Sequence, residues 1–203
     1  MKNEKLIKKY DKHAKMYEKN QNNYALAKWR KKLLQHAYGD VLEVGIGTGA
    51  NFNFYNRNTV SSVTGIDFSS EMLKIAKKIA HQLHINSQFI QVDVDELELE
   101  HNSYDCIVST LTLCSYPNPI ATLNKFNNWC RKDGIILLME HGLSTNPILS
   151  FSQNMVNPIF KKIAGCHCNR NIQALIEQSN LHLEHTESYW KNIINLIRAQ
   201  PTK

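Results

Sequence analysis

The sequence contains no run of about 18 apolar residues, so no segment is expected to span a membrane. The charged N-terminus, residues 1–5, is not followed by the apolar core of a secretion signal. Cysteine is scarce, and five residues at irregular spacing are an odd count, which is typical of reduced thiols rather than a disulfide framework. These absences predict a cytoplasmic protein. A chain of 203 residues can build one domain with a hydrophobic core, and we interpret residues 1–203 as that domain.

Positive charge is concentrated at one end of the chain. Residues 1–32 hold eleven of the 24 lysines and arginines but three of the 18 acidic residues, which leaves the remainder slightly acidic. A basic segment of this kind favours an anionic partner, and we expect it to make peripheral contact with an anionic membrane. A helix face exposed to solvent is an alternative explanation of the same pattern. Nucleic acid is not an expected partner, because no aromatic-rich binding sheet or appended RNA-binding module is visible.

Glycine is also rare, yet three of the eight glycines fall within residues 45–49. They follow a predicted buried strand at residues 40–44 and precede a predicted helix that begins at residues 51–55. A glycine-rich turn between strand and helix lets a ligand lie directly on the backbone. Asp67 ends the next predicted strand about 20 positions later, where an acid can accept hydrogen bonds from ribose hydroxyls. The pattern predicts a nucleoside ligand.

Two cofactors fit this loop. Gly45, Gly47 and Ala50 match the alanine-ending form of the dinucleotide fingerprint. Glu43, followed by Gly45, Gly47 and Gly49, matches the loop that binds S-adenosyl-L-methionine (SAM) in class I methyltransferases. A nicotinamide-dependent dehydrogenase usually needs a second domain for its substrate, and a chain of this length leaves little room for one. The length therefore favours SAM.

Predicted strands and helices alternate through the middle of the chain. Further strands are predicted at residues 88–93, 104–109, 135–139, 181–189 and 190–199, with a helix at 120–130 and a turn at 132–134. The first three strands place Gly45, Asp67 and Asp93 at their carboxyl ends, which is the edge where open parallel sheets bind ligands. The alternation predicts an α/β, Rossmann-like domain whose mostly parallel sheet carries helices on both faces.

The N-terminal segment is predicted to be helical. Residues 1–38 show helical spacing of apolar residues in two stretches, separated by a break at residues 20–23. We expect these two helices to form a lid over the cofactor, with Tyr10 and Tyr17 turned inward. Lying on anionic lipid is an alternative for a basic amphipathic helix.

A second segment, residues 142–167, is predicted to be a short helical cap inserted over the site. Its apolar residues keep helical spacing, but Pro147 and Pro158 are expected to break it into one or two short helices. Ordinary core packing and contact with substrate are both compatible with this pattern.

Cysteine and histidine occur together at the end of the cap, in Cys166, His167 and Cys168. Zinc needs four ligands in recognisable pairs, and no second pair appears in the sequence. We therefore predict no metal. Cys114 is expected to pack rather than to react.

These motifs resemble the class I SAM-dependent methyltransferases over nearly the whole chain. The resemblance is carried by residues 43–49, 65–69 and the Tyr-Asp-x-x-Ala-x-x-Tyr motif at 10–17. Narrower motifs at residues 113–117, 140–142 and 165–170 resemble the methyltransferase-like 7 group and small bacterial phospholipid methyltransferases. That group is linked to thiol methylation and lipid-associated locations. The resemblance implies a seven-stranded sheet whose last strand is antiparallel; lysine, aspartate and glycine at 132–134 replace a common Lys-Pro-Gly turn.

The resemblance also implies how the cofactor is bound. The implied cofactor-binding residues are Tyr17, Glu43, Gly45, Gly47, Thr48, Gly49, Asp67, Phe68, Asp93, Val94 and Ser109. The glycine backbone approaches methionine and ribose, Asp67 takes both ribose hydroxyls, and Asp93 with Val94 meets the adenine amino edge. Ser109 lies under the sulfonium, and Glu43 orients the loop.

The acceptor side is less defined. Tyr10, His167 and Arg170 are candidate substrate contacts, with a structural clamp as the alternative for Arg170. His141 is the candidate catalytic base, and a loop anchor is its alternative. The expected reaction is in-line methyl transfer from SAM to a thiol, amine or hydroxyl of a small molecule or lipid. A nicotinamide-dependent oxidoreductase and a SAM-binding module without catalysis are the other hypotheses.

Overall fold

The computed structural model describes residues 4–20 and 24–203, so most of the break predicted at 20–23 lies outside the described residues. The strands are β1 (Gly39–Val44), β2 (Val60–Asp67), β3 (Ser87–Gln91), β4 (Tyr104–Thr110), β5 (Cys130–His141), β6 (Leu181–Tyr189) and β7 (Ile194–Pro201). The α-helices are α1 (Glu4–Asn20), α2 (Tyr24–Leu34), α3 (Ser70–Gln82), α4 (Pro119–Trp129), α5 (Pro147–Ala164) and α6 (Ile172–Glu177). A short 3-10 helix, Phe52–Phe54, replaces the helix predicted after the glycine loop.

The sheet has seven strands in the order β3-β2-β1-β4-β5-β7-β6. Strands β1 to β5 pair in parallel, whereas β7 pairs antiparallel with both β5 and β6. The seven-stranded α/β fold and its antiparallel last strand are therefore confirmed. Dinucleotide-binding domains use the order 3-2-1-4-5-6, so the insertion of β7 next to β5 distinguishes this sheet from theirs.

Helices cover both faces of the sheet. Each face carries its own cluster of apolar side chains, and the helices on that face bury it. On one face, α4 and α6 pack buried side chains against β1, β4 and β5. These are Leu123, Phe126, Trp129, Ile172 and Ile176. On the other face, α2 and α3 contribute Trp29, Leu33, Leu34, Leu73 and Ala76. With the two faces covered, the carboxyl ends of the parallel strands remain as the place for a site.

Side-chain caps define where the helices begin. The hydroxyl of Ser69 accepts a hydrogen bond from the amide of Met72 at the start of α3, and Asn118 and Asn171 cap α4 and α6 in the same way. These caps matter for the site because Ser69 follows directly on Asp67 and its neighbour Phe68.

The cap segment forms one continuous helix rather than an interrupted one. Asn146 caps α5, and Pro147 occupies the first turn, where a missing N–H costs no intrahelical hydrogen bond. Pro158 lies inside the helix without ending it, and Gly165 terminates it with a φ of +79°. No residue of α5 is buried, so this helix does not contribute to the hydrophobic core.

Two local predictions in the C-terminal half are also corrected. The turn predicted at residues 132–134 lies inside the long strand β5, where the pairing with β4 shifts register opposite residues 104–106. The last strand begins at Ile194 rather than at Trp190. Trp190, Lys191 and Asn192 all have positive φ angles, and they form the turn that reverses the chain between β6 and β7.

Candidate functional site

The glycine loop leaves β1 at the carboxyl edge of the sheet. The amides of Gly45 and Ile46 both donate to the carbonyl of Ile66 at 2.9 Å, which ties the loop to β2. Gly47 has a φ of +55°, and a Cβ built on it would meet no atom within 4 Å. A Cβ on Gly45 would lie 2.4 Å from Thr112 Cγ2. The backbone at Gly47 therefore has free space beside it, as a ligand lying on the loop requires.

Asp67, at the end of β2, faces this loop. Its Oδ2 accepts a hydrogen bond from the Gly47 amide at 2.9 Å, and its Oδ1 accepts one from the Ser69 amide at 2.8 Å. Burial raises the pKa of Asp67 to about 6, although these two amides oppose the rise. The carboxylate is thus held in place beside the open backbone of the loop.

Glu43 is anchored by polar groups that follow the loop. Asn51 Nδ2 donates to Glu43 Oε1 at 2.9 Å, and the Tyr55 hydroxyl donates to Oε2 at 2.6 Å. Arg30, from α2, donates through Nε to Asn51 Oδ1 at 2.8 Å. Burial raises the pKa of Glu43 to about 7. The arrangement fits the predicted role of Glu43 in orienting the loop, and it adds Arg30, which sequence reasoning missed.

A cavity of about 420 Å³ lies over this edge of the sheet. Ten of the predicted site residues line it: Tyr10, Tyr17, Glu43, Gly45, Gly47, Thr48, Asp67, Phe68, Asp93 and Val94. Gly49 does not line it. A Cβ built on Gly49 would lie 2.4 Å from the Phe52 ring, so this residue faces Phe52. Ser109 does not line it either; its buried hydroxyl hydrogen-bonds with Thr112 and lies 3.3 Å from Glu140 Oε1.

Several lining residues were missed by sequence reasoning. Apart from Arg30, the polar ones come from the end of β4 and the loop that follows it, and they are Thr110, Thr112, Ser115 and Tyr116. No spacing pattern in the sequence identifies them, because the path of the backbone in this region is what places them at the cavity. For Ser115 and Tyr116 the available signal was the 113–117 motif, which the resemblance singled out without assigning roles to its residues.

Helix α1 closes the cavity from above. The Tyr10 ring packs edge-on against Phe68 with centroids 5.3 Å apart, and Ser69 Oγ donates to Asp11 Oδ1 at 2.5 Å. Leu6 and Met16 add apolar surface to the cavity wall, while Tyr17 lines it although 45% of its surface stays exposed. The helix is thus attached to the start of α3, directly beyond Asp67.

His141 lies outside the cavity lining, in a group with two cysteines. One ligand-type atom from each of Cys114, His141 and Cys166 lies within 4.8 Å of the others. Hydrogen bonds from Cys114 and His141 lower the pKa of the Cys166 thiol to about 5. Cys168 is not part of the group, because its Sγ hydrogen-bonds with Gln153 O and Asn157 Oδ1.

The two remaining candidates, His167 and Arg170, are also absent from the cavity lining. The guanidinium of Arg170 donates to the carbonyl oxygens of Leu113 and Tyr116, the latter at 2.7 Å. The amide of His167 donates to Cys114 O at 2.8 Å. Both residues therefore connect the end of the cap to the loop after β4.

Comparison with known proteins agrees with this geometry. Residues 42–138 match the family described as Methyltransferase domain. The mitochondrial methyltransferase OMS1 of Saccharomyces cerevisiae is 30% identical over 86% of this chain and 40% of its own length. The phosphatidylethanolamine N-methyltransferase of Cereibacter sphaeroides is 27% identical over 71% of each chain. The human thiol S-methyltransferase TMT1A is 31% identical over 73% of this chain and 63% of its own length.

A solved structure shows the same fold. The geranyl diphosphate C-methyltransferase of Streptomyces coelicolor, in complex with S-adenosyl-L-homocysteine, matches with a TM-score of 0.71 at 11% identity, over 88% of this chain and 78% of that one. The glycine loop beside Asp67 and the seven-stranded sheet with an antiparallel β7 have the arrangement expected from the resemblance to class I SAM-dependent methyltransferases. Residues 42–138 thus match a methyltransferase domain, and the curated relatives together with the fold support a class I SAM-dependent methyltransferase.

Proposed function

We propose that the protein transfers the methyl group of SAM, by in-line displacement, to an apolar small molecule or lipid that carries a thiol, amine or hydroxyl. The main support is a cavity of about 420 Å³ that is lined both by the glycine loop and by apolar side chains of α1. When bound, SAM supplies a methyl group on a cationic sulfur. In-line displacement depends chiefly on alignment of the reacting atoms, so the protein's main task is to bind and orient them.

The cofactor end of the cavity offers a partner for each polar part of SAM. Asp67 is placed to accept hydrogen bonds from ribose hydroxyls, beside the open backbone of Gly47. Arg30 and Glu43 line the same cavity with opposite charges. We assign Arg30 to the carboxylate of the methionine portion and Glu43 to its ammonium group, because buried charges are stable only when they are paired.

The other end of the cavity supports an apolar acceptor. Phe68, Asp93 and Val94 border the region assigned to adenine, and beyond them the wall is built from α1 and α2. The apolar lining residues contributed by these helices are Leu6, Tyr10, Met16, Tyr17 and Leu26. We propose that the N-terminal segment, residues 1–38, acts as the lid that closes over the acceptor. Tyr10 is the proposed acceptor contact.

A lipid or lipid-soluble acceptor is supported by the surface of α5. Its exposed apolar residues recur every three to four positions, as expected for one face of a helix. They are Ile148, Phe151, Met155, Ile159 and Ile163, each at least 60% exposed. Lys161 and Lys162 lie in the last turn of the same helix. None of the helices in the described part of the chain is long and apolar enough to cross a bilayer.

The C-terminal end of α5 lies next to the basic helix α1. A Cβ on Gly165, which ends α5, would be 2.7 Å from Leu6 Cδ1 and 4.0 Å from Lys9 Nζ. Apolar side chains beside lysines match the surface of an anionic membrane. We propose that a cytoplasmic protein docks peripherally on such a membrane through α5 and the outward lysines of α1.

Two measurements test the reaction class. Calorimetric titration with SAM and with NAD should show binding of SAM only, and NAD binding at micromolar strength without SAM binding would contradict the proposal. Labelled SAM incubated with a panel of thiols, amines, quinols and phosphatidylethanolamine should label one acceptor class. SAM binding without transfer to any member would favour a binding module.

A further inference from the structure

Three metal-ligating side chains converge beside the cavity without lining it. One ligand atom from each of Cys114, His141 and Cys166 lies within 4.8 Å of the others. This is the one group of at least three histidine, cysteine or acidic side chains with such spacing in residues 4–20 and 24–203. Zinc-binding motifs in a sequence consist of close pairs such as Cys166 and Cys168. The members of this group lie far apart in the chain, so no such motif marks them.

Each member of the group is fixed by a different element. Cys114 lies in the loop after β4, and its carbonyl accepts a hydrogen bond from the His167 amide at 2.8 Å. His141 is the last residue of β5 and is paired with Ile194 of β7. Cys166 follows Gly165, whose left-handed conformation ends α5. The Arg170 guanidinium joins the loop after β4 to the end of the cap. The three side chains are therefore held together before any ligand binds.

The donor set fits one class of ion. Two thiolates and an imidazole are ligands of Zn²⁺ and similar thiophilic cations, with metal–sulfur bonds near 2.3 Å and metal–nitrogen bonds near 2.0 Å. Tetrahedral geometry places such ligand atoms roughly 3.6 Å apart, so modest side-chain rotations would bring the observed group to that spacing. Cys166 and His141 are partly exposed, and an ion can reach them from solvent.

We propose that Cys114, His141 and Cys166 bind one thiophilic divalent cation, Zn²⁺ being the best suited, with a water molecule in the fourth position. Binding releases the thiol protons to solvent and forms two metal–sulfur bonds and one metal–nitrogen bond. The ion links the loop after β4, the end of β5 and the end of the cap. It thereby fixes the acceptor side of the domain, and this inference holds whichever acceptor is methylated.

The test uses Co²⁺ as a spectroscopic probe on the whole, reduced and chelator-treated protein, with no SAM present. We expect one Co²⁺ per chain, a sulfur-to-cobalt charge-transfer band, the visible bands of a tetrahedral ion, and displacement by Zn²⁺. Cys166→Ser should weaken Co²⁺ binding by at least about 100-fold, since loss of a direct ligand exceeds the effect of losing a residue that supports one. Cys168→Ser is the matched control and should bind like the unmodified protein.

Two outcomes overturn the proposal: absence of the charge-transfer band in the unmodified protein, or a band that Cys166→Ser leaves unchanged. Cys114 is buried, so the result for Cys114→Ser is used only if the circular dichroism spectrum of that variant is native. If it is not, the Cys166→Ser variant decides the test, because Cys166 is only partly buried. SAM titration of the same preparations separates the two proposals. Normal SAM binding without cobalt binding removes the metal site and leaves the methyltransferase function intact.

Discussion

The two halves of the sheet's carboxyl edge are assembled in different ways. Apart from Arg30 of α2, the cofactor half comes from one continuous stretch, residues 43–94, in which β1, β2 and β3 follow one another across the sheet. The acceptor half combines α1 with the loop after β4, the end of β5 and the end of the cap, which are distant in the chain. The first half uses neighbouring backbone to hold ligand groups. The second depends on side chains that hold separate segments together.

This difference predicts different consequences of mutation. Substitutions in the cofactor half should change the affinity for SAM while the fold stays intact, because the loop is supported by strand pairing. Substitutions in the acceptor half should change stability first, because a lost side chain releases a segment. Four predictions test the contrast, beginning with the largest expected effect.

Arg170→Leu should destabilise the protein by about 2–4 kcal/mol. The guanidinium donates to the carbonyls of Leu113 and Tyr116, both buried residues, and its removal leaves two acceptors without these partners. The free energy of unfolding from urea denaturation measures the loss. SAM affinity of the folded fraction should change little, since Arg170 does not line the cavity.

Two further variants make this result interpretable. Arg170→Lys should recover only a small part of the loss, because one ammonium group does not reproduce the two-pronged geometry of a guanidinium. Arg131→Leu removes an exposed arginine that pairs with Asp105 and should have a much smaller effect. An Arg170→Leu variant as stable as Arg131→Leu would show that the two segments are joined by other contacts.

Asp67→Ala should weaken SAM binding by at least about 1.5 kcal/mol, or roughly tenfold, with little loss of stability relative to Arg170→Leu. The carboxylate is the acidic group beside the open backbone of Gly47, and its loss removes a charged hydrogen-bond acceptor. Calorimetry measures the affinity. Asp95→Ala, at an exposed acid near Asp93 that does not line the cavity, is the matched control. Equal SAM affinities for the two variants would remove Asp67 from the ribose site.

The pH dependence of SAM binding should show a smaller effect of the same group. Burial raises the pKa of Asp67 to about 6, so the carboxylate is ionised above that pH and protonated below it. The protonated form is a poorer acceptor for two hydroxyls. SAM affinity is therefore expected to be highest near pH 8 and to fall several-fold as the pH drops through about 6.

Glu43 titrates in an overlapping range, because burial raises its pKa to about 7. Asp67→Asn separates the two groups. It should lower affinity at pH 8 and remove the part of the pH dependence near 6, leaving the part near 7. A pH profile that Asp67→Asn leaves unchanged in shape would assign the whole dependence to other groups.

The contrast also explains what the sequence could predict. The glycine loop, the acid that ends β2 and the alternation of strands and helices are local patterns, so the fold and most of the cofactor half could be predicted from them. Ser109 was expected under the sulfonium, but its hydroxyl turns toward Thr112 and Glu140. The periodicity of a strand predicts on which face of the sheet a side chain lies. It does not predict which residues of the following loop that side chain contacts.

The acceptor half was harder to predict because long-range packing determines it. Pro147 was expected to interrupt a helix, whereas Asn146 in front of it makes it the first residue of one. The group of Cys114, His141 and Cys166 exists only after three elements have packed together. No spacing in the sequence encodes that arrangement, so a search for ligand pairs could not find it.

The smallest expected effect on stability belongs to α5, and it tests whether this exposed surface has a function. Phe151→Ser should change the free energy of unfolding by no more than about 0.5 kcal/mol, since the ring is 67% exposed. Binding to vesicles of anionic phospholipid should nevertheless fall about tenfold, because burial of a phenylalanine side chain contributes about 1.5–3 kcal/mol. Sedimentation with vesicles measures the binding, which should also weaken as salt rises.

Controls for this prediction separate apolar from electrostatic contact. Tyr24→Ser removes an exposed aromatic ring outside α5 and should leave vesicle binding unchanged. Replacing both Lys161 and Lys162 with glutamine should lower binding to anionic vesicles without affecting stability, at about 1 kcal/mol per lysine. If Phe151→Ser binds vesicles as well as the unmodified protein does, α5 is not the membrane-docking surface. The acceptor would then have to reach the cavity from solution, which favours a small molecule over a membrane lipid.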